Sequence, residues 1–277
     1  MKIVLCLKEI LDPDIIEFDI NKNSLTSAPA ILNSPDFHAL EEALRIREKY
    51  GGEIKAVSVA TQQAEGGLRK ALIYGADRAV RGWDPLLEEA DTWVVSSGLQ
   101  NIIEKENFDL ILCGCKSKDT AGQFMGAALA SRLNQPLVTG VVGIDIEKNN
   151  SCIVHKKLEK GKRETYSLML PAVLTLDESI AKPRYVAMFS RIYNQGIHKN
   201  IEVIKLNPEK IDHDPLIERS YICQTKPRIK VGKKVSGLSM MSLMKVLRGE
   251  TEGKKELFSG SALEGAEKIS EKIEEWY

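Results

Sequence analysis

No charge of one sign dominates this chain, whose 277 residues carry 39 Lys plus Arg against 39 Asp plus Glu. That balance excludes a general electrostatic attraction to nucleic acid or to an anionic membrane. Histidine is scarce: His38, His155, His198 and His213 are scattered, with no H-E-x-x-H pair. A G-x-S-x-G elbow is also missing, so hydrolysis has no constellation to work with. The five cysteines lack metal-site spacing, since Cys113 and Cys115 form only C-x-C with no second pair. An odd cysteine count without a disulfide framework predicts a reducing, cytoplasmic setting. No apolar run approaches the roughly 20 residues of a membrane-spanning helix. The apolar opening, Met1 to Lys8, is expected to be too short for a signal peptide. Two nucleotide fingerprints, G-x-x-x-x-G-K-[ST] and G-x-G-x-x-G, are absent as well.

What is present is alternation. Short β-branched runs and helical patterns take turns through the first half, the signature of a parallel α/β sheet. The pattern predicts strands over 3–8, 54–60, 76–80 and 108–113, with helices over 35–50, 62–74 and 90–105. Phe108 to Cys113 is nearly all apolar, as a strand covered on both faces demands. A small, polar stretch, 114–123, then leads into a helix that ends near Asn134, before Pro136. Antiparallel strands are expected over 138–146, 152–158 and 164–169, with turns at Asn149-Asn150 and Lys160-Gly161. One further apolar strand follows at 172–176. Beyond residue 205 the alternation fades. The expected organisation is therefore one α/β domain over 1–205 and an extended C-terminal arm over 206–277. That arm carries one or two helices, the last over 262–277. No internal repeat is visible.

The turn after Cys113 is the chief candidate site. A polar loop between a buried strand and a helix leaves backbone N–H groups and a positive helix end at the carboxyl edge of the sheet, where phosphate binds well. Asp119 or Thr120 serves equally well as a plain helix cap, so spacing alone leaves both readings open. His38 reads as a satisfied, partly buried histidine, and Glu41-Glu42 as first-turn carboxylates complementing a helix dipole. Lys182 to Phe189 reads either as a crossover loop or as a docking loop, because Met and aromatic side chains suit adaptable partner surfaces.

Several of these segments together resemble one family. The opening MKIVLCLKEILDP, Asn33-Ser34-Pro35-Asp36 before Ala39-Leu40-Glu41-Glu42-Ala43, and Ala56-Val57-Ser58-Val59 match its early elements. Ala71-Leu72-Ile73-Tyr74-Gly75-Ala76-Asp77-Arg78-Ala79, Leu170-Pro171-Ala172-Val173-Leu174-Thr175-Leu176 and Lys182-Pro183-Arg184-Tyr185 follow in the same order. The chain resembles the β subunit of electron transfer flavoprotein, the ETF/FixA family, from residue 1 to about 205.

That resemblance implies a Rossmann-like fold of the adenine nucleotide α-hydrolase-like type, with helices on both faces of a parallel sheet and an antiparallel hairpin addition. It implies an electron carrier rather than a catalyst, joined to an α subunit that holds the main FAD. This subunit would bind AMP, or a second FAD in electron-bifurcating members that oxidise NADH. Electrons would pass from acyl-CoA dehydrogenase-type flavoenzymes of fatty acid β-oxidation to a quinone oxidoreductase or another acceptor. The nucleotide would lie over Cys6, near Asn33 and Val59. Its phosphates would sit among Gly114, Cys115, Ser117, Asp119, Thr120, Ala121, Gly122 and Gln123. Docking to the donor would use Pro183, Arg184, Tyr185 and Met188. The phosphate loop, C-K-S-K-D-T-A-G-Q, departs from the family's usual K-Q-A-I-D-G-D-T-x-Q. A stand-alone adenine-nucleotide-binding regulator of the same general fold is the alternative from outside the family.

Overall fold

The structure, a computed structural model, describes residues 1–15, 18–19, 24–25, 28–62, 65–87, 90–186, 200–207 and 211. The chain divides into two units, Met1–Tyr221 and Ile222–Tyr277, and every described residue belongs to the first. Of the expected arm at 206–277, only 206, 207 and 211 are among the described residues, and the expected helix at 262–277 lies outside them.

Elements run in the order β1 (Lys2–Cys6), β2 (Glu9–Leu11), β3 (Phe18–Asp19), β4 (Ser24–Leu25), β5 (Ala30–Leu32), α1 (Ser34–Tyr50) and β6 (Glu53–Val59). Next come α2 (Gly66–Tyr74), β7 (Arg78–Trp83), α3 (Thr92–Ile103), β8 (Leu110–Gly114) and α4 (Met125–Leu133). The last are β9 (Leu137–Ile146), β10 (Ser151–Lys157), β11 (Arg163–Met169), β12 (Ala172–Leu176) and β13 (Glu202–Lys205). The main sheet has the order β11-β10-β9-β12-β8-β1-β6-β7-β13. It is parallel from β9 across to β13, and β10 and β11 extend it as an antiparallel meander. This is the expected Rossmann-like α/β architecture.

The central strands feed two cores at once. Successive side chains on a strand face opposite ways, and in β1 both sets are apolar. Ile3 and Leu5 join the core under α1 and α2, while Val4 and Cys6 join the core under α3 and α4. In β8, Leu110 and Leu112 pack on the first side, Ile111 and Cys113 on the second. A strand buried on both faces has no polar alternation to show, which is why these two read as continuous apolar runs.

Helix ends fall where the chain chemistry sets them. The N–H of Gly51, at φ 72°, donates to the Arg47 carbonyl and closes α1. Asn134 takes the left-handed conformation after α4, just ahead of Pro136. Two expectations shift. β7 begins at Arg78 instead of Ala76, because the Ala76 N–H is still engaged by the Ala71 carbonyl at the end of α2. α2 starts at Gly66 instead of Gln62, where the Gly67 N–H donates to the Glu9 carboxylate. Two features carry no clear sequence signal: the three-residue pair β2–β5, and β13, a four-residue edge strand whose side chains are mostly exposed.

At the start of α4 the helix presses directly on β12. A Cβ built on Gly126 lies 2.2 Å from Thr175 Cγ2, so the side chain or the helix must move. Gly126→Ala is expected to cost about 1–3 kcal/mol by urea denaturation. Gly122→Ala, whose Cβ meets only Thr120 Oγ1 at 3.3 Å, is expected to change stability little.

Candidate nucleotide-binding cavity

Strand order reverses at β1, with β6 and β7 to one side and β8 and β12 to the other. Beyond the carboxyl ends of such a switch point, two successive loops diverge and leave a crevice. Here the crevice is a cavity of about 730 Å³, within the range of small-molecule and cofactor sites.

Its floor is the end of β1 and β8. Cys6 and Cys113 are buried there. Burial, then the neighbouring Cys113 and Asp36, pushes the Cys6 thiol well up. Burial followed by Asp36 and Cys115 pushes Cys113 up to about 12. Both are therefore neutral thiols at physiological pH, and neither offers a thiolate nucleophile. Asp36, also buried, accepts from the Lys8 N–H and the Gly114 N–H, each at 2.9 Å. Burial raises its carboxyl to about 6 against the lowering effect of those bonds, of Asn33 and of the Lys8 charge. Gly114 is required at this point, because a Cβ there would lie 2.4 Å from Asp36 Oδ1.

The loop after β8 is held by contacts from outside and within. Asn33, buried ahead of α1, donates from Nδ2 to the Lys116 carbonyl and accepts at Oδ1 from the Lys118 N–H, both at 3.0 Å. The Ser117 N–H donates to the Gly122 carbonyl, and the Ser117 and Thr120 hydroxyls lie 2.8 Å apart. Ala121, at φ 53°, supplies the left-handed turn. The Lys8 ammonium meets Asp119 Oδ2 at 2.7 Å, while Asp119 Oδ1 accepts from the Thr120 N–H. Burial opposes ionisation of Asp119, but hydrogen bonds from Lys8 and Ser117 outweigh it and hold the carboxyl below its usual range. At the end of the loop α4 begins without a side-chain hydrogen bond at its cap, a kind of helix start that favours negative charge nearby. The start of α3, by contrast, is capped by Asp91, whose Oδ1 accepts from the Val94 N–H at 2.8 Å.

Of the residues singled out in the sequence, Cys6, Asn33, Val59, Gly114, Cys115, Ser117, Thr120, Gly122 and Gln123 line this one cavity. Asp119 and Ala121 do not line it; they shape the loop through the Lys8 ion pair and the left-handed turn. Sequence reading missed Lys8, Asp36 and the entire wall given by Ala90 to Trp93, Val95, Leu99 and Phe124 to Gly126. Asp91 at a helix start and a tryptophan two residues later were the available signals for that wall.

The expected docking segment divides. Arg184 is held inside the chain. Its guanidinium reaches Glu41 at 2.9 and 3.0 Å and also bonds Glu48, and its N–H donates to Glu41 Oε2. Glu41 and Glu42 lie beyond the first turn of α1, where Asp36 is the acidic residue, so the dipole reading of that pair does not hold. Pro183 is half-buried, whereas Tyr185 is 84% exposed. Met188 lies outside the described residues. His38 is satisfied, as expected, with Nδ1 on the Glu178 carbonyl. Among the described residues no group of His, Cys, Asp and Glu is placed to hold a metal, and no helix is long and apolar enough to cross a membrane.

Sheet order and switch-point cavity define a Rossmann-like α/β protein. A family model described as the electron transfer flavoprotein domain matches residues 24–208. The chain is 33% identical over 218 residues to an electron transfer flavoprotein subunit beta of Thermoanaerobacterium thermosaccharolyticum, covering 78% of this chain and 83% of that one. It is 35% identical over 216 residues to the caffeyl-CoA reductase-Etf complex subunit CarD of Acetobacterium woodii, covering 76% and 82%. To the electron transfer flavoprotein subunit beta of Bacillus subtilis it is 29% identical over 262 residues, covering 94% and 96%. The chain belongs to the electron transfer flavoprotein β-subunit family.

Asp36 makes the site sensitive to pH. Its carboxyl is raised in the folded chain, so its stabilising contribution is complete below the unfolded value of about 4. That contribution is lost as pH rises through about 6. Between pH 4 and 6, unfolding free energy is therefore expected to fall more steeply in the native chain than in Asp36→Asn. Denaturant titrations across that window check it, and parallel curves would refute the assignment.

Proposed function

We propose that this chain is the β subunit of an electron-transferring heterodimer, paired with an α subunit that carries the main FAD. The switch-point cavity holds an adenine nucleotide. The observation that carries this reading is the gathering of Cys6, Asn33, Val59, Gly114, Ser117, Thr120 and Gln123 around one cavity of nucleotide size. Their chemistry fits the group. Val59 and Leu99 add apolar surface beside the ligand, and the amides of the loop after β8 suit a phosphate. Lys8 adds a cation at the edge, shared with Asp119. The neutral thiols of the floor exclude a competing nucleophile.

The flavin, when bound, supplies the electron chemistry. This chain's residues bind, orient and shield. None is asked to act as acid or base, so the protein works as a carrier and not as a catalyst. Tyr185 and Met188 present the docking side chains to an acyl-CoA dehydrogenase-type donor, with Arg184 fixing the start of the segment. A quinone oxidoreductase is the acceptor, and the complex works in the cytoplasm. The ligand of this subunit is AMP. The similarity to CarD, named as part of a caffeyl-CoA reductase-Etf complex, favours as a second reading a bifurcating complex with a second FAD here.

Affinity purification of the chain from its host, with a visible spectrum and chromatography of released nucleotides, separates these readings. A yellow one-to-one complex with one FAD and one AMP supports the carrier. Two FADs and reduction by NADH support the bifurcating form. A colourless chain recovered alone and binding ATP overturns the heterodimer in favour of a regulator. Asn33→Ala removes two hydrogen bonds of about 0.5–1.5 kcal/mol each that hold the phosphate loop. It is expected to lower nucleotide affinity in this subunit about tenfold while leaving the FAD of the α subunit in place. Full nucleotide occupancy in that variant counts against the loop.

A further inference from the structure

The wall of the cavity that sequence reading missed has a chemistry of its own. Trp93, in the first turn of α3, and Phe124, just before α4, both line the cavity. Their ring centroids are 6.3 Å apart and their planes differ by 36°. The indole is fixed from behind its own helix. The Arg132 guanidinium lies 3.9 Å from the ring centroid, with Nε donating to Ser96 Oγ and Nη2 to the Trp93 carbonyl. Phe124 is 42% exposed, so part of its ring surface is open beside the indole.

A ring sandwiched between two others needs them roughly 7–8 Å apart, twice the ~3.5–4.0 Å of an optimal carbon contact. At 6.3 Å and tilted, Trp93 and Phe124 cannot admit a third ring between them. Both line the cavity as neighbouring aromatic surfaces, against which a planar ligand would have to lie. Such a wall distinguishes ligands by their π-surface, because stacking is nearly indifferent to hydrogen-bonding pattern.

Resting on the reading of this cavity as a nucleotide site, we infer that Trp93 and Phe124 are its specificity-determining residues. They stack on a planar heteroaromatic ring of the ligand, so that the site takes an adenine nucleotide and rejects a bare sugar phosphate. Arg132 is a positioning residue, holding the indole plane in place before the ligand arrives.

The test uses the full-length chain freed of bound nucleotide, with affinities for AMP, FAD and ribose 5-phosphate taken from calorimetric titration and tryptophan emission followed in parallel. AMP is expected to quench the native chain, and Trp93→Phe to abolish most of that signal while keeping AMP affinity within about threefold. Trp93→Ala and Phe124→Ala are each expected to weaken AMP and FAD about tenfold, the low end of stacking energies. Ribose 5-phosphate is expected to bind weakly and equally in all four proteins. Phe124→Ala removes a half-exposed ring and keeps the test valid where Trp93→Ala folds poorly. Undiminished AMP binding in both alanine variants overturns the wall, as does an equal loss for ribose 5-phosphate, which marks a purely structural effect. If the native chain binds neither AMP nor FAD, the nucleotide reading itself fails and the wall falls with it.

Discussion

At the carboxyl ends of β1 and β8, the N–H groups of Lys8 and Gly114 turn from the backbone ladder to a side chain. A single carboxyl group, Asp36, accepts from both. It sits in the first turn of α1, where the helix dipole favours negative charge, yet it is buried and its proton is correspondingly hard to remove. Helix α1, the two central strands and both loops at the mouth of the cavity thus meet at one side chain. Gly114 has to be glycine because this carboxyl lies where its Cβ would stand. Lys8 is delivered to the cavity edge by the same bond, and Asn33 stands three residues upstream to hold the loop beyond.

The site was partly legible in the sequence because much of it follows from strand topology. A buried strand ending in Cys113-Gly114, followed by small polar residues and a helix, leaves little doubt about which edge of the sheet the loop occupies. Cys6 and Val59 fall into place once β1 and β6 are recognised as its neighbours. The opposite wall was hidden for a physical reason. α3 follows β7, two strands away from β1, and returns the chain to β8, a crossover past β6 and β1 that brings Trp93 and Leu99 to the same cavity. No local pattern encodes the strand order that sets this crossover. The same limit applies to β13, a short edge strand whose pairing with β7 is long-range. Four residues with one face in water carry too little periodicity to be told from a loop.

Arg184 shows a role within the chain that its sequence context did not suggest. On an apparently open segment, an arginine invites assignment to a partner. In the folded chain its planar fork matches the two carboxylates presented by Glu41 and Glu48 on α1. Two carboxylates a helical repeat apart are a poor clue by themselves, because such pairs are common on solvated helix faces. Their meaning comes from a residue more than a hundred positions away. The bond turns the end of the crossover into a fixed post from which Tyr185 projects.

The loop that faces the cavity is already closed on itself. Asn33 clasps it from both sides, Ser117 bonds to Gly122 and Thr120, and Lys8 anchors Asp119. Backbone entropy of about 1–2 kcal/mol per residue has been surrendered on folding instead of on binding. A ligand entering this cavity therefore has no segment to mould. An occupant would meet a surface that is already formed, so binding it would order no further backbone and releasing it would free none.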